Sequence, residues 1–171
     1  ATAVYRRYIS GVAQMNIAII PARGGSKRIP RKNVKLFCGK PMIAWSIETA
    51  LASGCFDQVI VSTDDDEIAK VSIQAGAKVP FIRPADLADD FASTEDVIIH
   101  AINALELTGD ESEFICCIYP TAPLLQPQSL QQGLDLLRQK QLNYVFSATS
   151  FAYPIQRALQ IDEHGRVSMF Q

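Results

Sequence analysis

Residues 23–33 combine glycine and positive charge in a pattern that suits phosphate binding. They follow residues 16–21, an apolar and largely β-branched run that predicts a strand buried on both faces. Gly24 and Gly25 allow positive φ angles and close approach of the backbone, so that amide N–H groups can face phosphate oxygens. The sequence therefore predicts a phosphate-binding loop directly after a strand.

Five basic residues lie within this segment of eleven. Among them, Arg23, Lys27 and Lys32 carry the charge needed to neutralise a triphosphate and the pyrophosphate that leaves it. The spacing matches neither the GxxxxGK[ST] Walker loop nor the GxGxxG loop of dinucleotide-binding folds. Composition alone leaves a solvated basic loop open as the alternative.

Three further segments follow predicted elements of a parallel sheet, at residues 62–65, 84–93 and 120–125. Ligands bind beyond the C-terminal ends of such strands, so we expect these segments to meet the basic loop in one site. The aspartates at positions 64–66 have the chemistry of metal ligands. N-capping and first-turn placement in a following helix explain them better.

Residues 20–33 resemble the signature of cytidylyltransferases that activate nonulosonic acids, which are nine-carbon acidic sugars of the sialic acid type. The segment reads Ile20-Pro-Ala-Arg-Gly-Gly-Ser-Lys-Arg-Ile-Pro-Arg-Lys-Asn33. Residues 40–45 resemble the GKP segment of this family, and residues 61–64 resemble its second strand end. Residues 83–94 resemble its nucleotide-side loop. The resemblance extends from about residue 16 to the end of the chain.

The resemblance implies roles for particular residues. Asn33, Arg83 and Ser93 would hold the cytosine and ribose, although Asn33 also suits a turn, Arg83 a surface base and Ser93 a helix N-cap. The catalytic residues that the resemblance implies are Arg23, Lys27 and Lys32. The implied CTP-binding residues are Ala22, Arg23, Gly24, Ser26, Asn33, Arg83 and Ser93.

The third motif departs from the usual CMP-sialic acid synthetase pattern. Residues 118–124 read Ile-Tyr-Pro-Thr-Ala-Pro-Leu, so Tyr119 stands where those enzymes carry a sugar-contacting Gln. Together with residues 151–157, this exchange resembles the pseudaminic acid branch of the family, with Tyr119, Thr121 and Arg157 as the implied sugar-binding residues. N-acetylneuraminate, legionaminate or a deoxyoctulosonate remain alternative sugars. Tyr119 also suits a core aromatic, and Arg157 a solvated strand residue.

The reaction that the resemblance implies is attack of the anomeric hydroxyl of the sugar on the α-phosphorus of CTP, with release of pyrophosphate. The product would serve surface glycans or flagellin glycosylation. Mg²⁺ is the expected cofactor, yet the Asp-x-Asp pair that supplies its ligands in the family is not found after Arg157, so the metal ligands stay unknown. A non-catalytic nucleotide-binding relic is therefore an alternative from another class. No general base stands out.

Strands that alternate with helices of ten to fifteen residues predict an α/β fold. We expect a Rossmann-like, mostly parallel sheet flanked by helices, of the nucleotide-diphospho-sugar transferase type. Short strands around His164 and Gly165 should follow residue 150. The predicted strands are 16–21, 57–62, 79–82, 114–119 and 144–148. The predicted helices are 41–53, one that begins at a capping box at 64–67 and ends at Gly76, 95–107 with Ser93 or Thr94 as cap, and 127–141.

We expect residues 1–14 to be an upstream extension without a role and residues 15–171 to form one nucleotidyltransferase domain. The pattern predicts a domain that is incomplete at its C-terminal end. By resemblance, a small dimerisation insertion starts near residue 150, which implies a homodimer.

Charge is distributed unevenly along the chain. Residues 1–47 carry nine Lys and Arg residues and no acid, whereas the remaining 124 residues carry seven bases and eighteen acids. A small anion therefore suits the N-terminal segment, and the acidic remainder argues against a nucleic acid. No apolar run reaches the length of a membrane helix. The four cysteines lack metal-ligand spacing and predict reduced, buried thiols in a cytoplasmic protein.

Overall fold

The computed structural model describes residues 3–6, 15–89, 91–107, 112–150 and 159–169. The strands are β1 (Ala3–Arg6), β2 (Met15–Pro21), β3 (Leu36–Phe37), β4 (Lys40–Pro41), β5 (Gln58–Ser62), β6 (Ser112–Cys117), β7 (Tyr144–Phe146), β8 (Leu159–Ile161) and β9 (Val167–Met169). The helices are α1 (Met42–Ala52), α2 (Asp66–Gln74), α3 (Thr94–Ala104) and α4 (Pro127–Lys140), with a 3₁₀ turn at Ala85–Leu87.

A five-stranded sheet in the order β5-β2-β6-β1-β7 forms the centre of the molecule. Strand β2 pairs in parallel with β5 and with β6, and β1 pairs antiparallel with β6 and β7. The prediction of an α/β fold with a mostly parallel sheet is confirmed. Two antiparallel pairs, β3–β4 and β8–β9, lie outside this sheet.

Strand β2 is buried on both faces, as its apolar run predicts. Ile17 and Ile19 pack into one cluster with side chains of α3, and Ala18 and Ile20 pack into another with side chains of α1, α2 and α4. The alternation follows from the two-residue period of a strand. Helices therefore cover both faces of the sheet and leave its C-terminal edge open to a ligand.

Helix boundaries agree with most of the predicted signals. Helix α1 starts after Pro41, and Gly54 with a φ of 65° follows its end. Helix α3 is capped by Ser93, which accepts a hydrogen bond from the backbone N–H of Asp96 in a complete capping box. Helix α2 differs from the prediction, because its N-cap is Asp65 and not Asp64.

Two parts of the sheet differ from the prediction. Residues 79–82 form no strand among the described residues, and only isolated bridges at Lys78 and Ile82 continue the sheet beyond β5. Residues 1–14 were expected to have no role, yet Ala3–Arg6 pairs with two strands. The partners of this strand lie more than one hundred residues away in the sequence, so its pairing is not marked locally.

The cysteines are free, and three of them, Cys55, Cys116 and Cys117, are buried. Cys38 is exposed, which corrects the expectation of four buried thiols. Burial raises the pKa of the Cys117 thiol to about 11, so this group stays protonated at neutral pH. None of the described helices has the length and apolarity to cross a membrane.

Candidate active site

A cavity of about 540 Å³ lies where β2 and β6 end. The loop after β2, the segment before α3, the first turn of α3 and the residues after β6 form its walls. The predicted site residues that line it are Arg23, Ser26, Lys32, Asn33, Arg83, Ser93, Tyr119 and Thr121. The other lining residues are Pro21, Arg28, Leu87, Asp89, Ala92, Thr94, Val97 and Pro120.

Four predicted site residues do not appear among those that line the cavity. Ala22 is fully buried, and its N–H donates to the carbonyl of Ser62 at 2.9 Å, which continues the pairing of β2 with β5. Lys27 is exposed outside the cavity wall. The backbone N–H of Gly24 donates to Asp64, and Arg157 lies outside the described residues.

Asn33 connects the two ends of the basic loop that follows β2. Its Nδ2 donates to the carbonyl of Arg23 at 2.9 Å, and the residue is only 4% exposed. Its Oδ1 is buried and accepts no hydrogen bond from the described residues. Because a buried polar atom without a partner is costly, this oxygen is a candidate acceptor for a ligand N–H group.

Arg83 is a buried cation, which excludes the alternative of a surface base. Its side chain is 3% exposed, and Asp64 Oδ1 lies 3.7 Å from Nη2. Within the described part of the chain, Nε and Nη2 have no hydrogen-bond acceptor. Burial lowers the pKa of the Arg83 guanidinium, while the charge of Asp64 opposes that shift. The guanidinium is therefore suited to meet an acceptor on a bound ligand.

The three aspartates at positions 64–66 have different roles. Asp65 accepts from the N–H of Ile68 at 2.9 Å and Asp66 lies in the first turn of α2, as the helix interpretation predicts. Asp64 does not cap the helix, because its Oδ1 accepts from the backbone N–H of Gly24 at 2.9 Å. No group of three or more potential metal-ligating side chains occurs among the residues the structure describes.

Gly24 is required for a different reason from the one its sequence context indicates. Neither Gly24 nor Gly25 has a positive φ, and the loop instead has its positive φ at Arg31, at 55°. A Cβ on Gly24 would lie 2.7 Å from Asp65 Oδ2, whereas a Cβ on Gly25 would meet open space. Close approach to Asp65 therefore selects glycine at position 24.

Two segments of the site meet through Arg23. Its Nη1 donates to the carbonyl of Asp89. The Asp89 carboxylate in turn accepts from the N–H groups of Phe91 and Ala92, each at 2.8 Å, and so shapes the loop that it belongs to. Sequence reasoning missed Asp89. The available signal was an Asp in a predicted loop, because its side chain often accepts a hydrogen bond from the backbone N–H two residues later in an Asx turn.

The hydroxyl groups of Tyr119 and Thr94 lie 3.4 Å apart at the wall of the cavity. Tyr119 is 37% exposed, which excludes a purely core role, and its carbonyl accepts from Ser46 Oγ at 2.9 Å. Thr94 was not singled out as a site residue, since its sequence position indicates only a helix start. Ser93 is both the N-cap of α3 and part of the cavity wall.

The profile of the family described as Cytidylyltransferase matches residues 17–162. The chain belongs to this cytidylyltransferase family. Pseudaminic acid cytidylyltransferase of Campylobacter jejuni is 50% identical over 155 residues, which are 91% of this chain and 67% of that protein. CMP-N,N'-diacetyllegionaminic acid synthase of Legionella pneumophila is 38% identical over 120 residues, which are 70% of this chain and 52% of that protein.

A solved structure of a CTP-bound enzyme has the same fold. CMP:2-keto-3-deoxy-manno-octonic acid synthetase complexed with CTP superimposes with a TM-score of 0.62 and 26% identity. The match covers 75% of this chain and 49% of that chain. The family and the nucleotidyltransferase fold inferred from the motifs are therefore confirmed, and the chain spans about one half to two thirds of the length of these relatives.

Proposed function

We propose that the protein transfers CMP from CTP to the anomeric hydroxyl of a nonulosonic acid, with pseudaminic acid as the sugar, and releases pyrophosphate. The observation that carries this proposal is the cavity that joins basic side chains to two buried polar side chains with unpaired atoms. The identity of 50% to a pseudaminic acid cytidylyltransferase supports the choice of sugar.

The basic side of the cavity suits the triphosphate. Arg23, Arg28 and Lys32 line it together with Ser26, so three cations and a hydroxyl can face phosphate oxygens. Transfer of a nucleotidyl group needs little covalent chemistry from the protein, and positioning with charge neutralisation carries the rate. We assign these side chains to the phosphates and to the charge that develops on pyrophosphate, and Lys27 stays a predicted catalytic residue.

The two buried polar side chains suit cytosine. Asn33 Oδ1 can accept a hydrogen bond from the amino group on cytosine C4, and the unpaired N–H groups of Arg83 can donate to the carbonyl oxygen on C2. A uracil ring would place an acceptor against Asn33 Oδ1. This pair of contacts would therefore favour CTP over UTP.

The sugar would lie against the residues that follow β6. Tyr119 offers a hydroxyl and part of an aromatic face, and Thr121 offers a second hydroxyl in the same wall. These groups fit the hydroxyl and amide substituents of an acidic sugar. Arg157 remains the predicted partner of the sugar carboxylate.

Mg²⁺ is expected from the family, but the described residues do not assemble a site for it. The Asp64 carboxylate accepts from Gly24, and the Asp89 carboxylate accepts from the N–H groups that follow it. No described group of three metal-ligating side chains is available. The proposal therefore assigns no metal ligand and no reaction step to the metal.

A homodimer in the cytoplasm and a product used for surface glycans or flagellin belong to the same proposal. The dimer rests on the resemblance of residues after 150 to a dimerisation insertion. Sedimentation of the full chain would test it, with a dimer mass as the expected result.

The function is tested by measuring pyrophosphate release from CTP by the full chain, with pseudaminic acid, N-acetylneuraminic acid or N,N'-diacetyllegionaminic acid in parallel. Turnover with pseudaminic acid alone is the expected result. Turnover with only one of the other sugars would keep the family activity and overturn the proposed sugar. Binding of CTP without release in any assay would favour a nucleotide-binding relic or a sugar outside this panel.

A further inference from the structure

Arg31 differs from the other basic residues of the phosphate-binding loop in what it contacts. Arg23, Arg28 and Lys32 line the cavity, whereas Arg31 contacts the start of α2. A basic side chain in such a loop is normally expected to face the phosphates. The contacts of Arg31 indicate another task.

The guanidinium of Arg31 binds Asp65 through two parallel hydrogen bonds. Nη1 donates to Oδ2 at 2.5 Å and Nη2 donates to Oδ1 at 2.9 Å, and Nη2 also donates to Glu67. Bidentate pairing of this kind fixes orientation as well as distance. Asp65 is held in turn as the N-cap of α2, so one side chain fastens the loop to the end of a helix.

The backbone at Arg31 is also specialised. Its φ of 55° lies in the left-handed region, which non-glycine residues adopt only when surrounding contacts maintain it. Its carbonyl accepts from the N–H groups of Val34 and Lys35 at 3.1 and 3.0 Å. Asn33 lies within this turn, and its side chain donates to the carbonyl of Arg23. The conformation at Arg31 is therefore linked to two residues of the cavity wall.

We propose that Arg31 is a positioning residue whose ion pair with Asp65 holds the loop in the conformation that presents Arg23 and Asn33 to CTP. The inference rests on the proposed function and adds a residue that acts on CTP through others. The low pKa of Asp65, about 2 because Arg31 donates to it, keeps the pair ionised over the working pH range.

The competing explanation is that Arg31 only adds positive charge near an anionic ligand. Substitution of each partner separates the two ideas. Arg31→Met removes a cation and Asp65→Asn removes an anion, so a long-range charge effect weakens CTP binding in the first variant and strengthens it in the second. Loss of the ion pair weakens binding in both. Asn at position 65 preserves the helix N-cap.

CTP affinity is measured by titration calorimetry on the full chain. We expect Arg31→Met and Asp65→Asn each to weaken binding by about tenfold, since small displacements of binding groups have effects of this order. The double variant should bind within about twofold of Arg31→Met, because the two residues act as one unit. Lys35→Met is the matched control, since it removes an exposed cation from the same segment and should change affinity by less than about twofold.

A second measurement does not depend on CTP. Amide hydrogen exchange of residues 22–33 should be faster in Arg31→Met and Asp65→Asn than in the unmodified chain or in Lys35→Met. Tighter CTP binding by Asp65→Asn, equal losses in Arg31→Met and Lys35→Met, or faster exchange with unchanged affinity would each overturn the proposal. If exchange is faster in both variants but the unmodified chain binds no CTP, the result would support the ion pair as the contact that holds the loop. The same result would overturn the proposed function.

Discussion

At the scale of single residues, the unpaired polar atoms of the cavity carry the clearest information. Asn33 Oδ1 and two nitrogens of Arg83 are buried without a hydrogen-bond partner among the described residues, although one of those nitrogens lies 3.7 Å from Asp64 Oδ1. Leaving such groups unpaired costs about 1–3 kcal/mol each, so a protein that keeps them sacrifices stability at that point. A ligand that supplies the missing partners recovers this free energy on binding, which makes these two residues the expected source of base selectivity.

Replacing Arg83 by Met should weaken the binding of CTP with little net change in the stability of the free protein. Methionine fills a similar volume without a charge to desolvate, but the change also removes the charge partner of Asp64, and we expect these two contributions to the free energy of unfolding to offset each other. CTP affinity should fall by at least about tenfold, as expected for loss of a buried charged hydrogen bond. Urea unfolding and titration calorimetry measure the two effects. A destabilised variant that binds CTP normally would show that Arg83 is purely structural.

The identity of these residues could be predicted from the sequence, but their environment could not. The motif resemblance selected Asn33 and Arg83, whereas their burial depends on how three distant segments pack around them. Asp64 shows the limit most clearly. Three consecutive aspartates before a helix do not reveal which one is the cap, and the contact of Asp64 with Gly24 joins residues forty positions apart.

At the scale of elements, the loop after β2 depends on the start of α2. Gly24 donates to Asp64, and Arg31 is paired to Asp65, so the two ends of the loop contact two adjacent residues. Strand β2 positions the beginning of the loop, and the contacts with Asp64 and Asp65 hold the loop against the start of α2. A substitution at the contact between the loop and α2 should therefore alter the position of the cavity residues, even where the substituted residue does not itself contact a ligand.

Gly24→Ala tests this arrangement, with Gly25→Ala as its matched control. A methyl group on Gly24 would lie 2.7 Å from Asp65 Oδ2, and the loop or the aspartate must move to accept it. We expect a loss of about 1–3 kcal/mol in unfolding free energy from this overpacking, measured by urea denaturation. The Gly25 variant adds its methyl group to open space and should keep its stability.

Equal stability of the two variants would contradict the importance of this contact. Stability is the deciding quantity here, because the backbone N–H of Gly25 is itself a candidate phosphate ligand.

Most helices could be predicted because their boundaries are marked locally. Pro41 and Gly54 mark the limits of α1, and Ser93 caps α3. The prediction of a strand at residues 79–82 was wrong. An apolar run forms a strand only where a neighbouring strand is placed to pair with it, and the sequence of the run does not show this. Strand β1 was missed for the same reason, because its pairing partners lie more than one hundred residues away.

At the scale of the whole molecule, the fold places basic residues from the first part of the chain in contact with acidic residues from the remainder. The basic first part of the chain supplies the loop, and the acidic remainder supplies the carboxylates that hold it through Asp64 and Asp65. The sequence predicted the family and the parallel sheet, since both depend on long patterns. It could not predict which carboxylates would be used to anchor the loop, because that requires the three-dimensional packing.

The pH dependence of global stability should report this anchoring. Contact with Arg31 lowers the pKa of Asp65 from 3.8 to about 2. A group with a lowered folded-state pKa contributes stability that is complete above its unfolded pKa and is lost as the pH falls through the folded value. The advantage of the unmodified chain over Asp65→Asn should therefore be complete at pH 5 and largely absent at pH 2.

Urea unfolding of both proteins at pH 5, 4, 3 and 2 measures this difference. We expect it to shrink by roughly 1–2 kcal/mol over the series, the shift in pKa giving the upper figure and partial exposure of Arg31 the lower one. Arg31→Met should lose most of this pH-dependent part, because the hydrogen bond from its guanidinium is the largest cause of the lowered pKa of Asp65. A difference between the unmodified chain and Asp65→Asn that stays constant from pH 5 to pH 2 would show that the folded protein does not favour the ionised form of Asp65, and would contradict the stabilising ion pair with Arg31.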